Sequence, residues 1–349
     1  VTEGVRGDGG VLRNSEGERF MFNYIPPMFA AETADSEAEG DRWYEDHTDN
    51  RRPPELLPRD EVARSINSEV KAGRGTPHGG VFLDIASRRS AEYIRRRLPS
   101  MYHQFKELAG VDITAEPMEV GPTCHYAMGG IRVDPDSAAT TVPGLFAAGE
   151  SAAGLHGSNR LGGNSLSDLL VFGRRAGIGA SDFAEAHGAA PAVDEAQLRE
   201  AVDGALVPLG RTDGESPYDI HHDLQETMQS LVGIIRTETE LREALDALGK
   251  LRERAEQVSV SGGRAYNPGW NLATDLPAML TVSTVVATGA LERKESRGGH
   301  TRDDFAGPDP EFAKVNLVQR VSPSGEFSIA PEPLPQMTPE LAALFEEAP

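Results

Sequence analysis

The sequence predicts an α/β plus α fold, and three observations predict it. The first is a series of glycine-punctuated blocks: His125-Tyr126-Ala127-Met128-Gly129-Gly130-Ile131, then Gly144-Leu145-Phe146-Ala147-Ala148-Gly149-Glu150, then His156-Gly157-Ser158-Asn159-Arg160-Leu161-Gly162-Gly163-Asn164-Ser165-Leu166. In that order they read as a strand feeding a helix N-terminus with a basic residue beside it. The second is short β-like runs such as Val81-Phe82-Leu83-Asp84-Ile85. The third is helical spacing further on, where Leu224, Met228, Leu231 and Ile235 recur, followed by Leu241, Leu245, Leu248 and Leu251.

Four regions follow in order. Residues 1–120 mix the β-like runs with a polar, acidic insertion from Glu32 to Pro58. Residues 121–182 carry the blocks. Within them Leu145 to Ala148 is a buried strand candidate ending at Gly149-Glu150, and open α/β sheets place ligands at the carboxyl ends of strands. Asn164-Ser165-Leu166-Ser167-Asp168 reads as a helix start, with Ser165 and Asp168 at capping-box spacing and Leu166, Leu169, Leu170 and Gly173 on the inner face. An Ala/Gly/Pro-rich linker, His187 to Val193, leads into a helical region over 194–294, in which Thr237 and Glu240 form a second capping-box pattern. Prolines and glycines return over 295–349, a tail region expected to wrap the surface.

Composition narrows the partners. The 349 residues carry 55 acidic and 34 basic side chains, a net charge of -21, and that potential argues against nucleic acid and against direct docking on an anionic membrane. Only Lys71, Lys106, Lys250, Lys294 and Lys314 are lysines, which suits a surface at high salt or a genome biased toward arginine. The single cysteine, Cys124, rules out an intrachain disulfide framework and fits a reducing compartment. No paired Cys/His metal spacing occurs, and His221-His222 reads as a solvated helix start. The longest apolar run, Leu276 to Leu291, is broken by Pro277 and Gly289 and reads as too short to cross a bilayer.

The blocks suit a flavin. A carboxylate at Glu150 is placed to accept hydrogen bonds from ribityl hydroxyls, or else it caps a turn. Free backbone N–H groups of Asn164, Ser165 and Leu166, with the positive end of the helix dipole, would face the pyrimidine edge and raise the ring's electron affinity. Gly162 and Gly163 permit close approach of the backbone, or a tight turn.

Together the blocks resemble the flavoprotein subunits of succinate dehydrogenase and fumarate reductase, with the likeness running from Val1 to about Phe305. The resemblance implies a partial FAD-binding (Rossmann-like) domain, an α+β capping domain and a C-terminal helical domain. Since the sequence opens on Val1 and holds no strand-GxGxxG-helix unit, it reads as the C-terminal portion of such a protein, inactive alone. Three positions match the family's motifs: Arg6 in Thr2-Glu3-Gly4-Val5-Arg6-Gly7, His125 and Arg160. By resemblance His125 and Arg160 hold substrate carboxylates, which suits arginine's planar fork, and Arg6 exchanges a proton with the substrate carbon while hydride passes between a substrate methylene and flavin N5. An arginine base is unexpected at its ordinary pKa and becomes tolerable if desolvated beside an acidic neighbour.

By their own spacing the three read differently. Arg6-Gly7-Asp8 is then a turn with a structural salt bridge, His125 a satisfied core histidine, and Arg160, in a glycine-flanked loop before a helix, already functional. The run Glu295-Ser296-Arg297-Gly298-Gly299-His300-Thr301-Arg302-Asp303-Asp304-Phe305 also resembles a family signature, or forms a solvated loop, and receives no catalytic role because Ala306-Gly307 stand where the family usually has proline. The resemblance further implies succinate or fumarate as substrate, an iron-sulfur subunit, membrane anchor subunits and quinone as partners, and a peripheral place on the cytoplasmic face of the membrane. Two readings stay beside it: an L-aspartate oxidase-like flavoenzyme, which usually has alanine-serine at Gly162-Gly163, and a non-catalytic helical interaction module.

Overall fold

A computed structural model describes residues 3–189, 192–322 and 326–346, and the chain divides into two compact units, Val1–His125 and Tyr126–Pro349. The first unit is α+β. An antiparallel sheet of order β1-β2-β3 is formed by β1 (Val11–Arg13), β2 (Val81–Asp84) and β3 (Met118–Val120), with Leu83 opposite both Leu12 and Met118. The two-residue period of β2 buries Val81 and Leu83 against Val5, Phe20, Met21, Leu57, Ile66 and Ile94. Helices α1 (Glu3–Gly7), α2 (Glu37–Trp43), α3 (Arg59–Lys71), α4 (Ala91–Arg97) and α5 (Pro99–Gln104) surround the sheet. The acidic insertion contains α2, capped by Ser36, and is tied inward by Arg19, whose guanidinium pairs bidentately with the fully buried Glu55 at 2.6 and 3.0 Å.

The second unit holds the glycine-rich blocks and the helical region. Here α8 (Pro217–Leu231), α9 (Glu238–Ala255) and α10 (Pro268–Glu292) pack around Ile220, Leu224, Leu241, Leu248, Leu276, Leu280 and Ala287, preceded by α6 (Asn164–His187) and α7 (Glu195–Gly210). The Thr237 capping box forms: the Glu240 N–H donates to the Thr237 hydroxyl at 3.3 Å, and the Thr237 N–H donates to the Glu240 carboxylate at 2.9 Å.

Several expectations are corrected. Ile235 is not on α8, which stops at Leu231; it lies in β4 (Ile235–Arg236), paired in parallel with β5 (Thr301–Arg302), so its spacing continued past the end of the helix. The Leu276–Leu291 run belongs to a 25-residue helix that continues through Pro277 and Gly289, long and apolar enough by length and composition to cross a membrane. Leu276, Leu280, Ala287 and Ala290 on that helix are buried in the core that α8 and α9 share. Leu145 to Ala148 forms no strand, because a strand needs a ladder partner and among the described residues it has only the single bridge Ala139↔Phe146; Leu145 is 49% exposed. The Ser165–Asp168 capping box does not form. Gly163 takes a left-handed φ of 85° and becomes the N-cap, so α6 starts at Asn164 and Ser165 already lies inside its first turn. The predicted inner face of α6 is outward as well, with Leu166, Leu169 and Leu170 exposed, while Asp168 is its buried residue.

The tail after residue 305 forms a hairpin, β6 (Val315–Val321) with β7 (Phe327–Pro333), followed by α11 (Pro339–Glu346); the Gln319 amide donates to the Val285 carbonyl of α10 at 2.8 Å.

Leu248 is 1% exposed and Leu170 77%. Leu248→Ala should therefore cost about 2–5 kcal/mol of unfolding free energy, and Leu170→Ala should stay within about 0.5 kcal/mol. Equilibrium denaturation of the two variants against the parent chain measures the difference, and equal costs would disprove the placement of α9 in the core.

Candidate functional site

Arg6 lies in the last turn of the short helix α1, so of the expected Arg6-Gly7-Asp8 turn only Asp8 is in a turn, and among the described residues no carboxylate forms a salt bridge with Arg6. Its guanidinium donates through Nη1 to the Glu55 backbone carbonyl, and its own carbonyl accepts from the Tyr44 hydroxyl at 2.7 Å. The Glu55 carboxylate is taken by Arg19. Burial lowers the Arg6 pKa below the ordinary arginine range; Arg59 acts in the same direction, and Glu3 and Glu55 oppose it. Asp8, two residues on, accepts from the Tyr93 hydroxyl at 2.8 Å and from Arg97. His125 closes the first unit and is exposed, not a satisfied core residue; among the described residues it has no hydrogen-bond or ion-pair partner, and Cys124 beside it is exposed too.

In the second unit the first and second blocks lie together. Ile131 bridges Ala152, and a Cβ on Gly130, which has φ of +130°, would stand 2.6 Å from the Ser151 carbonyl, so only glycine lets the two chains meet. Glu150 sits in a 3-10 turn, Gly149–Ser151, and one of its oxygens accepts the Ala127 N–H at 2.8 Å. No side chain caps the start of α6, yet the N–H groups expected to be free there are not all free: the Asn164 N–H donates to the Leu161 carbonyl at 3.2 Å and the Leu166 N–H to the Gly163 carbonyl at 3.4 Å, because the turn through Gly163 closes back on itself. The positive end of the helix dipole, with a carboxylate two short segments away in sequence, fits a ligand having both an anionic edge and hydroxyl groups.

Around Arg160 a cluster forms that the sequence pattern does not reveal. The Tyr126 hydroxyl donates to Asp168 Oδ2 at 3.0 Å, and His156 Nε2 lies 3.2 Å from the same oxygen. The two rings meet edge to face at 5.5 Å, and the Arg160 guanidinium stands 4.8 Å above the Tyr126 ring. Desolvation and the neighbouring Asp168 carboxylate raise the Tyr126 pKa, which keeps the phenol a donor. Among the described residues Arg160 itself donates only to the adjacent Leu161 carbonyl, at 3.2 Å, and its Nε is buried without a partner. Asp168 has the spacing of a helix cap, and its real partners lie in blocks 12 and 42 residues away, beyond the reach of local pattern.

The charged run 295–305 is not a solvated loop. Glu295 and Arg302 are each 1% exposed. Glu295 accepts from Arg293, Arg297 and the Asp309 N–H, while Arg302 pairs with Asp304 and donates to the Ala290 and Leu291 carbonyls at the end of α10. The run also holds the Arg160 loop: the Gly299 N–H donates to the Ser158 carbonyl at 2.9 Å, and a Cβ at Gly298 would come within 2.5 Å of that oxygen. No group of side chains that could hold a metal ion occurs among the described residues.

Comparison with known proteins fits this geometry. Residues 1–166 match a model described as FAD binding domain, and residues 221–342 match one described as fumarate reductase flavoprotein C-term. The matched family defines a flavoprotein, with FAD as its cofactor. The chain belongs to the family of succinate dehydrogenase and fumarate reductase flavoprotein subunits. A fumarate reductase (CoM/CoB) subunit from Methanothermobacter marburgensis is 39% identical over 320 residues, covering 92% of this chain and 53% of its own length. The 8-methylmenaquinol:fumarate reductase flavoprotein subunit of Wolinella succinogenes is 34% identical over 327 residues, 91% of this chain and 49% of its own. The structure of Mycobacterium smegmatis Sdh1 in complex with UQ1 superposes with a TM-score of 0.82 at 56% identity, covering 99% of this chain and 54% of that one. The chain thus spans about half the length of the curated relatives it matches.

His300 gives a pH test of the loop anchor. Its Nε2 donates to the Arg293 carbonyl at 2.9 Å and its Nδ1 faces Arg236 at 3.0 Å, so burial, with Arg236, Arg302 and Arg293 nearby, pushes its pKa from 6.5 down to about 4. The neutral ring is the folded form, and its stabilising contribution is complete above pH 6.5 and lost as pH falls toward 4. His300→Gln should flatten the stability-against-pH curve in that window, read by denaturant titration at several pH values. An unchanged slope would remove His300 as its source.

Proposed function

We propose that this chain supplies the substrate-binding residues and part of the flavin site of a succinate dehydrogenase or fumarate reductase flavoprotein subunit, which interconverts succinate and fumarate and passes electrons to an iron-sulfur subunit. The observation that carries the reading is Arg160: a guanidinium seated over Tyr126 with no carboxylate partner among the described residues and with a buried Nε that donates to nothing. A substrate carboxylate meets both needs, since the guanidinium fork matches it bidentately.

In this reading Arg160 and His125 hold the substrate carboxylates and Arg6 takes or returns the proton on the neighbouring carbon. Desolvation of Arg6 supports that role, because it brings the neutral guanidine closer in energy, and Glu3 is the acidic neighbour whose charge acts on it. FAD, when bound, accepts or supplies the hydride. The second oxygen of Glu150 would receive ribityl hydroxyls, and the start of α6 at Asn164, Ser165 and Leu166 would face the pyrimidine edge with the Ser165 N–H and the positive end of the helix dipole. The names of the relatives, one an 8-methylmenaquinol:fumarate reductase subunit and one an Sdh1 structure with UQ1, support a quinone-linked complex. The proposal extends to membrane anchor subunits and a peripheral position on the cytoplasmic face of the membrane.

Arg160→Lys in the complete subunit keeps the charge and removes the fork. A desolvated charge-assisted pair of about 2–3 kcal/mol corresponds to roughly a hundredfold loss in succinate oxidation, read as kcat/KM; unchanged kinetics would take Arg160 out of the site.

Arg6→Ala and His125→Ala separate proton transfer from binding. Arg6→Ala should nearly abolish turnover while malonate still perturbs the flavin spectrum, whereas His125→Ala should weaken malonate binding along with turnover. If Arg6→Ala lost malonate affinity yet kept its maximal rate, Arg6 would be a binding residue.

A further inference from the structure

The structure assigns Asp168 as a positioning residue for the Arg160 substrate contact, acting through Tyr126. This rests on the proposed succinate/fumarate reading and adds to it roles for residues in or beside the resembling blocks to which the resemblance assigned none.

Asp168 lies just past the first turn of α6 with its side chain 4% exposed, the buried residue of that helix. A carboxylate is costly to bury without donors. Its donors come from two other blocks: the Tyr126 hydroxyl from the first and the His156 ring from the third, both on Oδ2. One oxygen therefore joins the blocks that bracket the site. Since that oxygen can only accept from Nε2, His156 presents its Nε2–H there. Tyr126, fixed at its hydroxyl end, offers its ring face to the Arg160 guanidinium at 4.8 Å and meets the His156 ring edge to face at 5.5 Å. On its other side the loop is pinned by the Gly299 N–H on Ser158.

The arrangement gives Arg160 a flat aromatic seat in place of an acidic partner. A carboxylate in direct contact would neutralise the guanidinium and compete with a substrate anion. Placed one residue removed, behind Tyr126, Asp168 orients the seat and leaves the fork free. The hydrogen bond to Tyr126 thus fixes the direction in which Arg160 meets a carboxylate, and its loss acts on substrate affinity before it acts on the chemical step.

The test uses the complete FAD-loaded flavoprotein subunit with succinate as substrate and malonate as the probe of dicarboxylate binding. Tyr126→Phe removes only the hydroxyl and leaves the ring under Arg160; Asp168→Ala removes the acceptor. Each should raise succinate KM and malonate Kd roughly fivefold or more, with kcat and FAD content within about twofold, and the double variant should be no worse than Asp168→Ala, since both changes break one link. A merely structural role would lower kcat and FAD content together and leave the two changes independent. Unchanged malonate affinity in Tyr126→Phe overturns the assignment even if Asp168→Ala fails to fold, and so do independent effects in the double variant. A parent subunit that is active with succinate while both variants match it removes this inference alone. A parent that neither oxidises succinate nor reduces fumarate removes the functional reading, and this inference with it.

Discussion

The second unit depends on a buried arginine. Arg302 is 1% exposed, pairs with Asp304, and donates to the last carbonyls of α10. Through its strand it also pairs in register with Arg236, and the loop it anchors reaches the Ser158 carbonyl through Gly299. A single guanidinium thereby closes the C-terminus of the longest helix and fixes the loop that carries Arg160. A buried cation is tolerable only when every donor finds an acceptor, and leaving one partner uncompensated costs on the order of 3–5 kcal/mol. Such a network specifies where the chain runs more than it adds stability.

The first unit uses the same device. Arg19 and Glu55, both buried, join the strand-bearing part of the unit to the acidic insertion, with Asp41 as a second partner of Arg19. Because the Glu55 carboxylate is engaged by Arg19, only its backbone carbonyl is left for Arg6. Arg6 is therefore held in place by a carbonyl and not neutralised by a carboxylate, the condition under which burial can lower its pKa. In both units the buried charges named above are paired, and among the described residues Arg6 and Arg160 have no carboxylate partner.

That division also gives meaning to the strongly acidic balance. In a chain with a surplus of carboxylates, Arg160 meets only a carbonyl and an aromatic ring among the described residues. The surrounding acidity keeps adventitious anions away through its long-range field, while a planar fork at short range still discriminates for a carboxylate of the right geometry.

The sequence by itself determined the elements whose signals are local: β2 with its alternation, the Thr237 capping box, the amphipathic α9, and the helix that follows Gly163. It also carried, through the blocks, the family and the cofactor, because close backbone approach and a helix start need glycine at particular places. Tertiary structure alone decided the rest. Whether Leu145–Ala148 becomes a strand depends on a ladder partner, which no residue within the run can supply. Asp168 became a buried acceptor and not a cap because Gly163, in a left-handed conformation, moved the helix start earlier and Tyr126 and His156 arrived from distant blocks. The 295–305 run looks solvated in one dimension, since charge density says nothing of pairing, and it is the meeting of Glu295 with Arg293 and Arg297, and of Arg302 with the end of α10, that makes it core.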